Sequence, residues 1–530
     1  MATAEAQPGL TPYDEIAYPT LPIAHTHPDR LATIGMHFGM RPAPVERCRV
    51  LELGCSSGAN LLSMAVTLPD SEFVGVDSAG RPIARGKAMV EALGLRNLTL
   101  RHLDLLGMAP DYGRFDYIIV HGLYAWVPAA VRDQILAVCK GSLQPQGIAY
   151  VSYNAFPGCY VRVMVREMML FHNRDFRDPQ QQTQQAITLL KVLANSRMEP
   201  AIYTKLLQDE FERISKRSKE ALYHDELAEV FRPVYFHQFM EHAQRHELQF
   251  LGEADFFEMH TGGLSPQAKE VLDKISDDVM LREQYLDFMR GRGFRKTLLC
   301  HKDVPLDRGG KSVSVRSFYI SSQARPRTPT PNSSADAKET FTGGSGAELT
   351  TANPLARTLL WYLIESQPGR IPFEKLAAEV ERRARQVLGF IPTPDQDFAS
   401  DLTDFIWQIY SAGLLDLHVH VPPFATQVSE KPVASPLARL EAREGEVVTT
   451  LHHRSLRLGD SLQRGLVMLM DGTRDHEALR KDLLGLFESR TLTLLEDDKP
   501  VDDVQAIEKR IAAETESVLA GLARMAVLMK

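Results

Sequence analysis

Over the first 150 positions, short apolar runs alternate with amphipathic stretches, and each run ends in a turn or an acid. That rhythm predicts a parallel sheet with helices on both faces. The first run, Val50 to Leu53, passes through a glycine turn into a helix near Asn60. Phe73-Val74-Gly75-Val76 is the second predicted strand and ends in Asp77, and Leu98 to Leu103 is the third and ends in Asp104. Phe115 to Val120 and Gly147 to Tyr153 are the fourth and fifth. Between them Pro128 opens a helix with Val131, Ile135 and Val138 on one face and Gly141 as its stop.

The rhythm then breaks. Val161 to Phe231 reads as consecutive helices, one Gln-rich from Pro179 to Ala194 and one charged from Tyr203 to Ala221, which marks an insertion. Alternation returns with a helix at Phe236 to His246, a strand at Leu248 to Leu251, a helix around Met280 to Met289 and a strand at Thr297 to Cys300. These two strands are expected to close the sheet as an antiparallel edge, with the insertion roofing the crevice. Ser321 to Asn353 is rich in Pro, Ser, Thr and Gly and is expected to be a flexible linker. Pro354 to Val421 reads as helices followed by the alternating stretch Leu415 to Val421, a winged-helix-like pattern, and Pro436 to Lys530 adds a further, mostly helical module. The predicted class is α/β, a Rossmann-like sheet with a helical insertion and a mostly helical, winged-helix-like C-terminal region. Its segments are residues 1–157, 158–232, 233–320, the linker 321–353 and 354–530.

A length of 530 residues predicts two to four domains. The net charge of −8 argues against a generally basic surface, so no nucleic-acid partner is expected. Five cysteines without a C-x-x-C pair speak against a disulfide framework or a zinc knuckle and suit a reducing compartment. Met1 to Leu10 has no signal-peptide pattern, and no apolar run approaches about 18 residues, so the expected location is cytoplasmic, without a membrane partner.

The turn reads Glu52-Leu53-Gly54-Cys55-Ser56-Ser57-Gly58, with an acid two positions before the first glycine, whereas a dinucleotide turn would read G-x-G-x-x-G. This E-x-G-x-x-x-G spacing resembles motif I of class I S-adenosylmethionine-dependent methyltransferases. On that reading Gly54 and Gly58 shape the turn, and Glu52 organises it. Asp77 accepts the ribose hydroxyls, and Asp104, with Leu105 beside it, meets the adenine. Asn60, His121 and Tyr18 complete the expected cofactor set. After the fourth strand, Tyr124 and Trp126 would wall an acceptor channel, with Tyr153 and Asn154 on the opposite lip. A cation–π contact there would attract an ammonium before it loses its proton. No catalytic dyad is evident, which suits transfer by proximity and orientation, since a lysine amine needs only to be desolvated and neutral. His242 and His246, spaced i, i+4, have metal-ligand spacing but no third ligand in the sequence, and with His418 and His420 they read as solvated faces, so no metal is expected.

With Tyr18 to Ala32, Arg49 to Asn60, Phe115 to Pro128, Tyr150 to Met169, Pro233 to Phe239 and Glu283 to Cys300, the chain resembles one bacterial family. This is the class I methyltransferases carrying a methyltransferase regulatory domain, a group that includes the rickettsial lysine methyltransferases of outer membrane protein B. The resemblance implies S-adenosylmethionine as cofactor, S-adenosylhomocysteine as product and a protein lysine as acceptor. It departs at Phe156 and Cys159, where the family pattern has Tyr and Trp. Two other readings stand beside this one: methyl transfer to a small molecule on an N or O atom, and a non-catalytic cofactor-binding interaction protein.

Overall fold

The computed structural model of the chain describes residues 9–196, 201–309, 315–332, 334, 337–344, 346–388, 398–496 and 499–530. Most of the N-terminal stretch that lacks a signal pattern lies outside them. Strands β1 (Arg49–Leu53), β2 (Glu72–Asp77), β3 (Leu98–His102), β4 (Phe115–Val120), β5 (Leu143–Asn154), β6 (Leu248–Glu253) and β7 (Phe294–His301) form one sheet in the order β3-β2-β1-β4-β5-β7-β6. The first five are parallel, and β7 lies antiparallel between β5 and β6, so the expected closing edge is present. The interior positions of the central strands β1, β4 and β5 are almost wholly buried, as strands covered on both faces require. Strand order reverses between β1 and β4, which opens a crevice at their carboxyl ends.

Helices α1 (Pro12–Glu15), α2 (Pro28–His37), α3 (Ala59–Thr67), α4 (Gly80–Ala92) and α5 (Ala129–Ser142) flank the strands. The insertion comprises α6 (Tyr160–Asn173), α7 (Pro179–Ala194), α8 (Ile202–Ser215) and α9 (Lys219–Glu226), with its own small core around Val165, Met169, Leu190, Leu207 and Ile214. Buried Glu226 holds it together by accepting from Arg162 and Arg213 at 3.0 and 2.9 Å. Then come α10 (Phe236–Arg245), α11 (Pro266–Lys274) and α12 (Val279–Arg290). Among the described residues no helix is long and apolar enough to cross a membrane.

The stretch 321–353 is not a bare linker. It carries β9 (Arg325–Pro326), β10 (Glu339–Thr342) and β11 (Glu348–Thr351), a three-stranded sheet that follows β8 (Tyr319–Ser321). Its composition misleads because Glu339-Thr340-Phe341-Thr342 alternates in and out, with Phe341 fully buried and threonines suited to a pleated surface. Buried Glu339 is neutralised by Arg357 at 2.5 Å and accepts from the Trp361 indole at 3.2 Å. Ser333, Ala335, Asp336 and Ser345 lie outside the described residues.

Helices α13 (Pro354–Glu365), α14 (Phe373–Leu388) and α15 (Phe398–Ser411), with β12 (Ile371–Pro372) and β13 (Asp416–His418), share one continuous hydrophobic core with the large sheet. A separate core gathers α16 (Pro436–Glu444), α17 (Ser461–Leu469), α18 (His476–Glu488) and α19 (Val504–Arg524), with the hairpin β14 (Val447–Thr449) and β15 (Ser455–Arg457). The separately packed C-terminal unit therefore begins near residue 430 rather than at 354.

Candidate cofactor and acceptor cleft

The turn after β1 holds three left-handed residues, Gly54 (φ 76°), Ser56 (φ 50°) and Gly58 (φ 72°). The left-handed φ favours glycine at Gly58, and a side chain there would also have to displace the end of Leu100, 2.8 Å away. Ser56 tolerates its conformation because its N–H donates to Asp77 Oδ2 at 2.7 Å, while Asp77 Oδ1 accepts from Ala79 at 2.8 Å. Asp77 thus braces the turn from the end of β2. Burial raises its carboxyl, and these two backbone donors offset part of the rise.

Above the turn lies a cavity of about 560 Å³, within the range of small-ligand sites. Glu52, Gly54, Asn60, Asp77, Asp104, Leu105, His121 and Tyr18 from the expected cofactor set line it, as do Trp126 and Asn154 from the expected acceptor set. Gly58 lies one step behind, as the N-cap of α3. Glu52 Oε1 accepts from Asn60 Nδ2 at 2.9 Å, but Oε2 is buried without a hydrogen-bond partner, and burial pushes this carboxyl up to about 8. Asp104 caps the turn at Leu105, accepting from Leu106 N at 3.0 Å. Burial lowers His121 to about 4, so its imidazole is neutral, with Nδ1 3.0 Å from the Tyr150 hydroxyl.

Two expected lip residues do not reach the cavity. Tyr153 is buried with its hydroxyl on Thr297 Oγ1 at 3.1 Å and its ring stacked on Phe239, because alternation along β5 turns it to the covered face while Asn154 faces the crevice. Tyr124 is also buried. Its hydroxyl lies 2.8 Å from His242 Nδ1, and Arg132 covers its ring. The Trp126 ring, expected to meet an ammonium, already contacts two cations of this chain, Arg162 and Arg166, each 5.4 Å from its centroid. Neither departure position lines the cavity: Phe156 stacks on Tyr160, and the buried Cys159 thiol donates to Gly293 O at 3.0 Å.

The roof comes from residues that periodicity does not mark. Arg162, Arg217 and Asp225 of the insertion line the cavity opposite Tyr13 and Tyr18. The Tyr18 hydroxyl donates to Asp225 at 3.3 Å, Arg217 pairs with the same carboxylate, and Tyr13 stacks on His224 with ring centroids 4.3 Å apart. Burial raises Asp225, and Arg217 and Arg162 pull it back. Behind the floor, Asn60 Oδ1 accepts from Ile23 N at 2.9 Å and from His453 Nε2 at 2.8 Å, so the C-terminal unit reaches the helix that opens the glycine turn. His453 adopts a left-handed φ of 56° to do so, and the sequence offers no signal for it.

The histidine pairs also differ from the expected solvated faces. His418 Nδ1 lies 2.7 Å from buried Asp29, and His420 Nδ1 lies 2.6 Å from Glu46, both at the junction of α2 with the middle module. His242 and His246 meet a third group, Asp133 of α5.

Residues 50–147 match the Methyltransferase domain family, 218–301 the Predicted methyltransferase regulatory domain, and 430–527 the PKMT C-terminal winged helix domain. Protein RP789 of Rickettsia prowazekii is 30% identical over 508 residues, covering 94% of this chain and 90% of its own. The structure of PKMT2 from Rickettsia typhi superposes with a TM-score of 0.84 at 30% identity, covering 97% of this chain and all of that one. The chain belongs to this family of S-adenosylmethionine-dependent methyltransferases. PKMT2 has also been solved in complex with AdoHcy, and that structure matches this methyltransferase with the same TM-score over 96% of its length. The match assigns a winged helix to 430–527, the module that the sequence marked only as mostly helical.

Proposed function

We propose that this methyltransferase modifies the side-chain amine of lysine in a protein substrate. The observation that carries this reading is the similarity to PKMT2 along the whole chain, the C-terminal winged helix included. The cleft fits the cofactor in two respects. The unpartnered, buried Glu52 Oε2 is an acceptor that a ligand's ammonium would satisfy, and the Gly54 turn lets a ligand approach the backbone. In this reading Glu52 and Asn60 hold the amino-acid end, Asp77 the ribose, and Asp104, Leu105 and His121 surround the base. When bound, S-adenosylmethionine supplies an electrophilic methyl group.

The chain's own residues then prepare the amine. Trp126 and Asn154 border its approach, and Asn154 offers a side-chain carbonyl that accepts an amine N–H. Arg162 and Arg217 beside them disfavour a second positive charge, and the partly dry cleft does the same, so both lower the amine's pKa toward the neutral, nucleophilic form. No side-chain base is required, and the proton leaves to solvent. The test is incubation of the purified enzyme and methyl-labelled cofactor with total lysate. Label is expected on lysine in the macromolecular fraction, and label confined to small molecules would replace this reading with small-molecule methylation.

A further inference from the structure

Outside the cleft, three side chains converge on one point. Nε2 of His242 and Nε2 of His246 lie 3.1 and 2.9 Å from the same oxygen, Oδ1 of Asp133. The three candidate donor atoms all fall within 4.8 Å of one another. We propose that Asp133, His242 and His246 form a binding site for a divalent transition-metal ion that clamps the regulatory segment to the methyltransferase core. This inference rests on geometry and does not depend on which acceptor is methylated.

The chemistry of the donor set selects the ion. Two imidazoles and one carboxylate suit zinc, cobalt or nickel, whereas calcium and magnesium prefer all-oxygen shells. Donors about 2.0–2.1 Å from a tetrahedral ion stand roughly 3.3 Å apart, so the observed 2.9 and 3.1 Å need widen only by a few tenths of an ångström. The two histidines occupy successive turns of one helical face, and His242 is fixed from behind. Its Nδ1 lies 2.8 Å from the Tyr124 hydroxyl. With the ring hydrogen on Nδ1 and donated to that oxygen, Nε2 presents its lone pair to the ion, the arrangement in which an outer partner orients a ligating histidine. Asp133 is 63% exposed, so water has access to the remaining coordination positions.

The position gives the ion a structural consequence. Asp133 stands on α5 within 50–147, and both histidines stand within 218–301, so one ion crosslinks the two family modules. Tyr124 relays the clamp to the short turn Tyr124–Trp126, and Leu123 and Trp126 beside it line the cleft.

Titration of the metal-free, full-length protein with Co²⁺, followed by the ligand-field absorption of the ion, tests the site. One equivalent is expected to bind, with affinity reduced at least tenfold in both Asp133→Asn and His246→Ala. Zn²⁺ is expected to raise the melting temperature of the parent protein more than that of either variant. Asp133→Asn changes only an exposed carboxylate, so it keeps the test valid if the histidine variant folds poorly. Absence of Co²⁺ binding to the parent protein, or binding by either variant as strong as that of the parent, would overturn the proposal.

Discussion

On the floor of the cleft, Glu52, Ser56, Asn60 and Asp77 belong to one strand-turn-helix and the neighbouring strand end, with backbone N–H groups of Ser56 and Ala79 fixing Asp77 and Asn60 fixing Glu52. On the roof, Tyr18 meets Asp225 across 207 positions of sequence, Arg162 arrives from α6, and Arg217 arrives from the turn between α8 and α9. The floor's geometry follows from strand pairing and two left-handed glycines. The roof is held by side-chain contacts between segments distant in sequence. One cavity thus joins a wall set by local backbone geometry to a wall set by long-range side-chain contacts, and substitutions in the two are expected to act differently on cofactor and acceptor.

Substitutions on either side sharpen that contrast. The largest effect is expected at Asp77→Ala, which removes both the proposed ribose acceptor and the brace on Ser56. Cofactor affinity should fall at least about a hundredfold, or roughly 2.7 kcal/mol, in calorimetry. Next is pH. Pairing of a ligand ammonium with Glu52 requires its carboxylate, which burial pushes up to about 8, so below that value binding must release a proton. Cofactor affinity should therefore rise up to about tenfold per pH unit from 6 toward 8, and Glu52→Gln should flatten the slope. The same raised value means that the free protein gains stability from protonated Glu52 below about 4.5, and loses it as pH rises through about 8. Its melting temperature should carry that trend, and Glu52→Gln should not.

Trp126→Ala opens the roof by removing the ring that Arg162 and Arg166 cover, and should lower kcat/KM for the acceptor about tenfold while the cofactor Kd moves less than twofold. His453→Ala cuts the link from the winged helix to Asn60 and should weaken cofactor binding about threefold to tenfold, with turnover at saturating cofactor retained. The smallest effect is expected at Tyr18→Phe, where loss of one long hydrogen bond to Asp225 should change either Kd or kcat by about threefold or less. A roof variant that abolished cofactor binding, or a floor variant that spared it, would break the comparison.

The floor was legible because its signals are local. Glu52-x-Gly54 and the acids ending two successive strands lie within a span whose periodicity also predicts the sheet, and sheet order then brings Asp77 to the turn. The lip was legible only in part. Asn154 and Trp126 reach the cavity, but Tyr153 and Tyr124, equally aromatic and equally close in sequence, point into packing. A one-residue step along β5 decides which side chain faces the crevice, and the sequence by itself does not set the last residue of a strand. The roof was legible as an element but not residue by residue: the insertion was expected over the crevice and Tyr18 near the cofactor, whereas Arg162 and Asp225 look like any charged residues of an amphipathic helix.

Periodicity, and the conformations that glycine adopts readily, were enough to specify the doubly wound sheet, its antiparallel edge, the helical insertion and the glycine turn. Contacts between distant segments, by contrast, exist only in the folded chain. The Pro- and Thr-rich stretch at 321–353 folds because Arg357 and Trp361 satisfy its buried Glu339. His453 gains a role because Asn60 waits for it 393 positions earlier. His242 and His246 become a candidate metal site only when α5 brings Asp133 beside them. Long-range partners determine whether a polar side chain is solvated, structural or functional, and local pattern carries no record of them.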